Sequence, residues 1–205
     1  MKVSLDLHDF SVLNNRLDLL MKIKEHYPNF KVSLFTVPFA IHYEMGVQRI
    51  YREAALKKIK ECLDWIQIIP HGLTHMDKEF EKCDYILFKN VLKSIKEAFD
   101  KDGLPYEKGF CAPFWLWNEK VIRVLDEQGW WGAIDRNQPD MLSTKRFYKY
   151  SHSLEEPYYK SNLDILKLHG HIGSSANDLE LNFVNIFKLP ADTQWCYVTD
   201  FLEEK

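Results

Sequence analysis

The stretch Ile66-Gln67-Ile68-Ile69-Pro70-His71-Gly72-Leu73-Thr74-His75 decides how the chain is read. Its first half is a short apolar run rich in isoleucine and stopped by proline, the pattern of a buried strand. Its second half places two imidazoles four residues apart, so that one turn of backbone can bring both onto a single metal ion. A catalytic metal site needs a third protein ligand, preferably a carboxylate. The end of the first apolar run, residues 3–7, offers Asp6, His8 and Asp9. A mononuclear metal hydrolase is the reading that follows.

Outward from this stretch, apolar runs alternate with helix-period segments. Strand-like runs cover residues 3–7, 30–37, 66–69, 106–112, 130–134, 164–168 and 195–198. Between them lie amphipathic stripes such as Leu13, Leu17, Leu20 and Ile23, ended by Pro28, and Val91, Leu92, Ile95, Ala98 and Phe99, stopped at Asp102-Gly103. Asn118 is a good N-cap and Gly129 a good C-terminal stop for a further helix, and a short one is expected near residues 179–187. This alternation predicts an α/β fold of about seven mainly parallel strands, layered or closed as a β/α barrel. Residues 136–162, rich in Tyr, Ser and Lys without clear period, read as an irregular excursion. The polar groups Asp6/His8/Asp9, His71/His75, Pro113 to Trp117, Asp135/Arg136 and His169/His171 all fall just past the C-terminal ends of expected strands. That is the edge at which chemistry gathers in such folds.

A chain of 205 residues is most simply one domain, 1–205, able to bury a core without disulfides or a structural metal. Any metal is therefore expected to be catalytic. A formal net charge of −3 with interspersed Lys and Glu offers no single-sign field for nucleic acid or anionic lipid. Cys62, Cys83, Cys111 and Cys196 show no paired spacing, which suits free thiols in a reducing compartment. The opening residues form neither a signal peptide nor a membrane span, so cytoplasmic residence is expected.

Taken in order, these motifs resemble the polysaccharide deacetylase superfamily, carbohydrate esterase family 4 and its relatives. Leu7-His8-Asp9-Phe10 sits where that family has an acidic pair, one a base and one a metal ligand. Ser33-Leu34-Phe35-Thr36-Val37 is similar to its second strand, and His71-Gly-Leu-Thr-His75 to its His-x-x-x-His metal motif. Gly109-Phe110-Cys111-Ala112-Pro113-Phe114-Trp115 resembles its groove wall, and Leu166-Lys167-Leu168-His169 its final strand with the acid histidine. The resemblance implies a distorted, incomplete (β/α) barrel and metal-assisted removal of an N-acetyl group from a sugar. Two departures stand out: His8 replaces the first acid of the pair, and Cys111 replaces an arginine that commonly sets the state of the base. Asp135 or Arg136 is a candidate to do so instead.

Asp9, His71 and His75 are the expected ligands of one divalent ion, zinc before its neighbours, and Asp9 is able to trade roles with Asp6. Asp6 and His8, two apart on a strand, share a face; one takes a proton from water while the other orients it, or Asp6 fixes a histidine tautomer. His169 is placed to protonate the leaving amine, with His171 on the same face as competitor and substrate contact. Pro113, Phe114, Trp115 and Trp117 either present aromatic faces to a sugar ring or cap the core. His26, His42 and His152 have no partner pattern and are read as structural or surface residues.

Two other classes compete: a carbohydrate-binding protein on the same fold with dead chemistry, and a metal-dependent phosphoesterase. The second wants several Arg or Lys converging on phosphate, and near these motifs there are only Arg136 and Lys167. The expected partner is a small-molecule or oligosaccharide substrate, with no nucleic acid and no membrane span.

Overall fold

β1 (Lys2–Phe10) is the strand around which the rest is arranged. Val3, Leu5 and Leu7 are buried on one face and Ser4, Asp6 and His8 on the other, so its alternate residues serve two interiors. The computed structural model describes residues 1–39, 47–173 and 176–205, and His42 lies outside them. After β1 come α1 (Leu17–His26), β2 (Val32–Thr36), α2 (Val47–Lys60), β3 (Ile66–Pro70), α3 (Tyr85–Asp102) and β4 (Gly109–Phe110). There follow α4 (Glu119–Glu127), β5 (Trp131–Ile134), β6 (Arg146–Lys149), β7 (His152–Ser153), β8 (Ile165–His171), α5 (Leu179–Ile186), β9 (Gln194–Cys196) and β10 (Glu203–Glu204).

One sheet runs in the order β3-β2-β1-β8-β7 and the other in the order β10-β6-β5-β4. They meet at two joints. A lone parallel bridge links His71 to Cys111, with Cys111 N donating to Pro70 O at 3.1 Å. On the other side β6 passes into β7 through Tyr150 and Ser151, and Ser151 N donates to Lys167 O at 2.8 Å. Apart from the antiparallel β10–β6 pair, the ladders are parallel. The result is a distorted, incomplete β/α barrel, as the family resemblance implies.

The large apolar cluster, which includes Val3, Leu5, Leu7, Val32, Leu34, Ile66, Ile68, Leu166 and Leu168, lies between strands and helices. A smaller one, Phe35, Ile69, Cys111, Trp131, Ala133, Tyr148, Tyr150 and Val198, fills the inside of the ring. Asn118 caps α4 by accepting from Lys120 N and Val121 N, and Gly103 and Gly129 adopt the left-handed conformation that ends a helix. Among the described residues no helix is long and apolar enough to cross a membrane.

Several expected boundaries shift. β1 and β8 run on through Asp6, His8, Asp9, His169 and His171, so these groups project from strands instead of following them. Regular pairing in the stretch 106–112 is confined to β4, where Trp131 N donates to Lys108 O, and before it Glu107 N donates to Ile68 O. The excursion 136–162 contains β6 and β7. The last expected strand begins as β9, which pairs the start of β1 beside the main path, and then turns into a short 3-10 helix at Val198–Phe201.

Candidate active site

Asp9 owes its position to a bulge. From Leu7 (opposite Leu34) to Phe10 (opposite Thr36), β1 advances three residues while β2 advances two. Asp9 lies in the irregular step, with φ +62°. An extra residue of this kind breaks the alternation of faces, and His8 and Asp9, although adjacent, both reach the histidines: His8 contacts the His71 ring, and Asp9 faces His71 and His75.

His71 follows β3 directly and is held by its backbone N–H on Thr36 O at 2.8 Å. Its Nδ1 lies 3.1 Å from Cys111 O. A carbonyl only accepts, so Nδ1 carries the proton of the neutral ring and Nε2 is left as a bare lone pair. That Nε2 lies 3.3 Å from Asp9 Oδ1, and His75 Nε2 lies 2.8 Å from the same oxygen. Asp9 Oδ1 is buried yet makes no hydrogen bond of good geometry. An imidazole lone pair directed at a carboxylate oxygen is repulsive unless a cation sits among them. Two imidazoles and one carboxylate, with one ring oriented by a backbone carbonyl behind it, are the donor set a divalent ion accepts.

Burial lowers the His71 pKa, partly offset by the Asp9 carboxylate. For His75 burial acts in the same sense, but pairing with Asp9 outweighs it and the pKa rises. Burial pushes the Asp9 pKa up, yet the two imidazoles together hold it far below the ordinary carboxylate range.

The loop carrying the two histidines is built to one shape. Gly72 has φ +64°, and a Cβ there would meet Pro113 Cγ at 2.6 Å. Glu79 clasps the turn by accepting from Thr74 N at 3.0 Å, Thr74 Oγ1 at 3.1 Å and Leu73 N at 3.3 Å. In the sequence Glu79 is marked only as a carboxylate four residues beyond His75.

Below this group lies a second one. Asp6 and His169 are register partners across β1 and β8, as are His8 and His171. His169 Nδ1 donates to Asp6 Oδ1 at 2.6 Å, and His8 Nε2 lies 3.4 Å from the same oxygen. Asp6 Oδ2 and His8 Nε2 have no hydrogen-bond partner. Burial, then the neighbouring His169, His71 and His171, hold the His8 pKa well below its ordinary value. His171 Nδ1 donates to Asn177 Oδ1 at 2.7 Å while Asn177 Nδ2 donates to Ser153 Oγ at 3.0 Å. This fixes the amide and leaves His171 Nε2 bare.

The aromatic candidates separate. Trp115 lies across the inner group, its ring centroid 4.9 Å from His8 and 5.4 Å from His169, and those two histidines are each only 2% exposed. Phe114 is exposed and 5.3 Å from the His75 ring. Both aromatic residues hold positive φ, 58° and 61°, a conformation that non-glycine residues adopt rarely and often at functional sites. Pro113 is buried against Gly72. Trp117 does not join the group: its ring stacks with Phe110, covers Gly132 and donates to Leu142 O at 3.1 Å.

Arg136 does not serve the base either, because it pairs twice with Glu156, at 2.6 and 2.9 Å. Asp135 instead accepts from Tyr150 OH at 2.5 Å, and the Tyr150 ring stacks on His169 with centroids 4.4 Å apart. Tyr150 was hidden in the stretch read as irregular. The signal that finds it is the alternation Phe147-Tyr148-Lys149-Tyr150, which puts both tyrosines on one strand face.

No family model matches the chain, and no curated protein does. Solved structures do. A family 4 carbohydrate esterase pseudoenzyme from Bacillus anthracis matches 97% of this chain with TM-score 0.63 at 15% identity. The chain spans 64% of that protein, less than two thirds of its length. A mutant of it is described as having restored enzymatic activity. A family 4 carbohydrate esterase from Streptomyces lividans, in complex with acetate, matches 96% of this chain and 91% of its own, with TM-score 0.62 at 12% identity. A family 4 acetyl xylan esterase from Clostridium thermocellum, in complex with a cobalt ion, matches 98% of this chain and 89% of its own, with TM-score 0.60 at 11% identity. The chain therefore has the fold of the family 4 carbohydrate esterases and polysaccharide deacetylases.

Proposed function

We propose that this protein is a metal-dependent hydrolase that removes an N-acetyl group from an amino sugar or sugar conjugate. The observation that carries the reading is the convergence of Asp9, His71 and His75, with Asp9 Oδ1 unsatisfied between the two Nε2 atoms. These three residues would hold the ion, zinc before its neighbours. Such an ion, when bound, supplies Lewis acidity that polarises an amide carbonyl and acidifies water.

The remaining roles fall to the inner group. His8, kept neutral by burial, is the group proposed to accept the proton of the attacking water. Asp6 takes the Nδ1–H of His169, fixing its tautomer and leaving Nε2 to protonate the departing amine. Of Asp6 and His8, His8 is the proposed base, with Asp6 orienting His169. Trp115, Phe114 and the bare Nε2 of His171 are the groups proposed to meet the sugar. A phosphoesterase is less well supported, since Arg136 is engaged by Glu156.

A second reading, a sugar-binding protein without catalysis, is favoured by the burial of His8 and His169 beneath Trp115 and by Cys111 in the place of an arginine. Acetate release from a panel of N-acetyl sugars and nucleotide-linked sugars separates the two. Release abolished by a chelator supports the hydrolase, and binding without release supports the second reading.

A further inference from the structure

Tyr150 is 9% exposed and belongs to the inner cluster of the ring. Its ring lies nearly parallel to the His169 imidazole, 4.4 Å between centroids and 27° between planes. Asp135 holds its hydroxyl at 2.5 Å, and the Arg136 guanidinium stands 5.7 Å from the ring, itself anchored on Glu156. The other neighbours of His169 are Asp6 at Nδ1 and the rings of His8, His171 and Trp115. Of these only Asp6 is an anion. His8 and His171 oppose a second positive charge in the cluster, so a protonated His169 draws its support from Asp6, from the more distant Asp135 carboxylate and from the face of Tyr150.

A phenol ring attracts a cation over its face, and a carboxylate accepting a hydrogen bond from the phenol makes that ring richer in electrons. Burial and the Asp135 carboxylate together push the Tyr150 pKa well above its ordinary value, so the group stays a phenol.

We infer that Tyr150, braced by Asp135, is a positioning residue for His169: it fixes the plane of the imidazole and favours the imidazolium that a general acid must be. The proton leaves Nε2 for the amine nitrogen, which keeps the electron pair of the broken C–N bond, and solvent returns a proton to Nε2 between turnovers. The catalytic half of this inference rests on the hydrolase reading; the effect on the imidazolium does not.

The test is NMR titration of the histidine ring signals in the intact protein, with His169 assigned by His169→Gln. Tyr150→Leu is expected to lower the protonation midpoint of His169 by about 0.5 pH unit or more, with Tyr150→Phe and Asp135→Asn in between. If N-acetyl sugars are turned over, kcat of the Leu variant falls about tenfold with KM within about twofold. Should the Leu variant fail to fold by circular dichroism, Tyr150→Phe and Asp135→Asn carry the test. A His169 titration in the folded variants that superimposes on wild type overturns the inference. Absence of turnover in the wild type, with the midpoint shifted, overturns the hydrolase reading alone.

Discussion

A single oxygen, Oδ1 of Asp6, stands between two histidines: it accepts the Nδ1–H of His169 at 2.6 Å and faces His8 Nε2 at 3.4 Å. Asp6 is 1% exposed, so its charge acts on both rings with little screening. Asp6→Asn keeps the shape and removes the charge. Acetate release is expected to fall about 10²- to 10³-fold with metal content unchanged, measured by steady-state kinetics beside metal analysis. Loss of metal with the activity would place Asp6 among the ligands.

The buried histidines make stability dependent on pH. His8, His71 and His171 all have pKa values below the ordinary 6.5, chiefly through burial. Below 6.5 the unfolded chain therefore binds protons that the folded one resists, and stability is lost as pH falls, by up to about 1.4 kcal/mol per pH unit for each such group. His75, with its pKa raised, works in the opposite sense and offsets part of this. Urea unfolding of chelated protein at pH 7.5, 6.5 and 5.5 is expected to show stability dropping between the last two. A flat or rising course would mean the rings are not held neutral.

Much of this was legible beforehand, for identifiable reasons. The pair His71/His75 and the acids of β1 stand out because ligand chemistry uses few residue types, and caps such as Asn118 and Gly129 because they answer local backbone needs. What stayed hidden depends on contacts distant in sequence. The bulge that turns Asp9 toward His71 is a matter of register with β2. The partner of Arg136 is Glu156, which no spacing rule selects, and Trp117 belongs to the packing over Gly132. β6 was missed because its alternation is only four residues long and includes Lys149, which pairs with Asp140.

Phe114 is 53% exposed with φ +58°. Phe114→Gly relieves a left-handed conformation that costs a residue with a Cβ about 1 to 2 kcal/mol, offset by the greater freedom of glycine in the unfolded chain. A net gain of about 0.5 kcal/mol is expected by denaturant unfolding, together with weaker sugar binding. A loss of stability would show that the ring is packing, not substrate surface.

Gly170 separates His169 from His171, and a Cβ there would meet Leu154 Cδ1 at 2.3 Å and Asn177 O at 2.9 Å. Gly170→Ala is expected to cost about 1 to 3 kcal/mol and to disturb the bond from His171 to Asn177. Unfolding midpoints together with His171 ring shifts report both effects.

Everything turns on Asp9, His71 and His75 sharing one cation. The direct measurement is metal stoichiometry by elemental analysis after dialysis against zinc, for wild type and for Asp9→Ala, His71→Ala and His75→Ala, each checked for folding. Expected is about one ion per chain in the wild type and well under half that in each folded variant. A wild type that binds none, or variants that keep the full complement, would contradict the site.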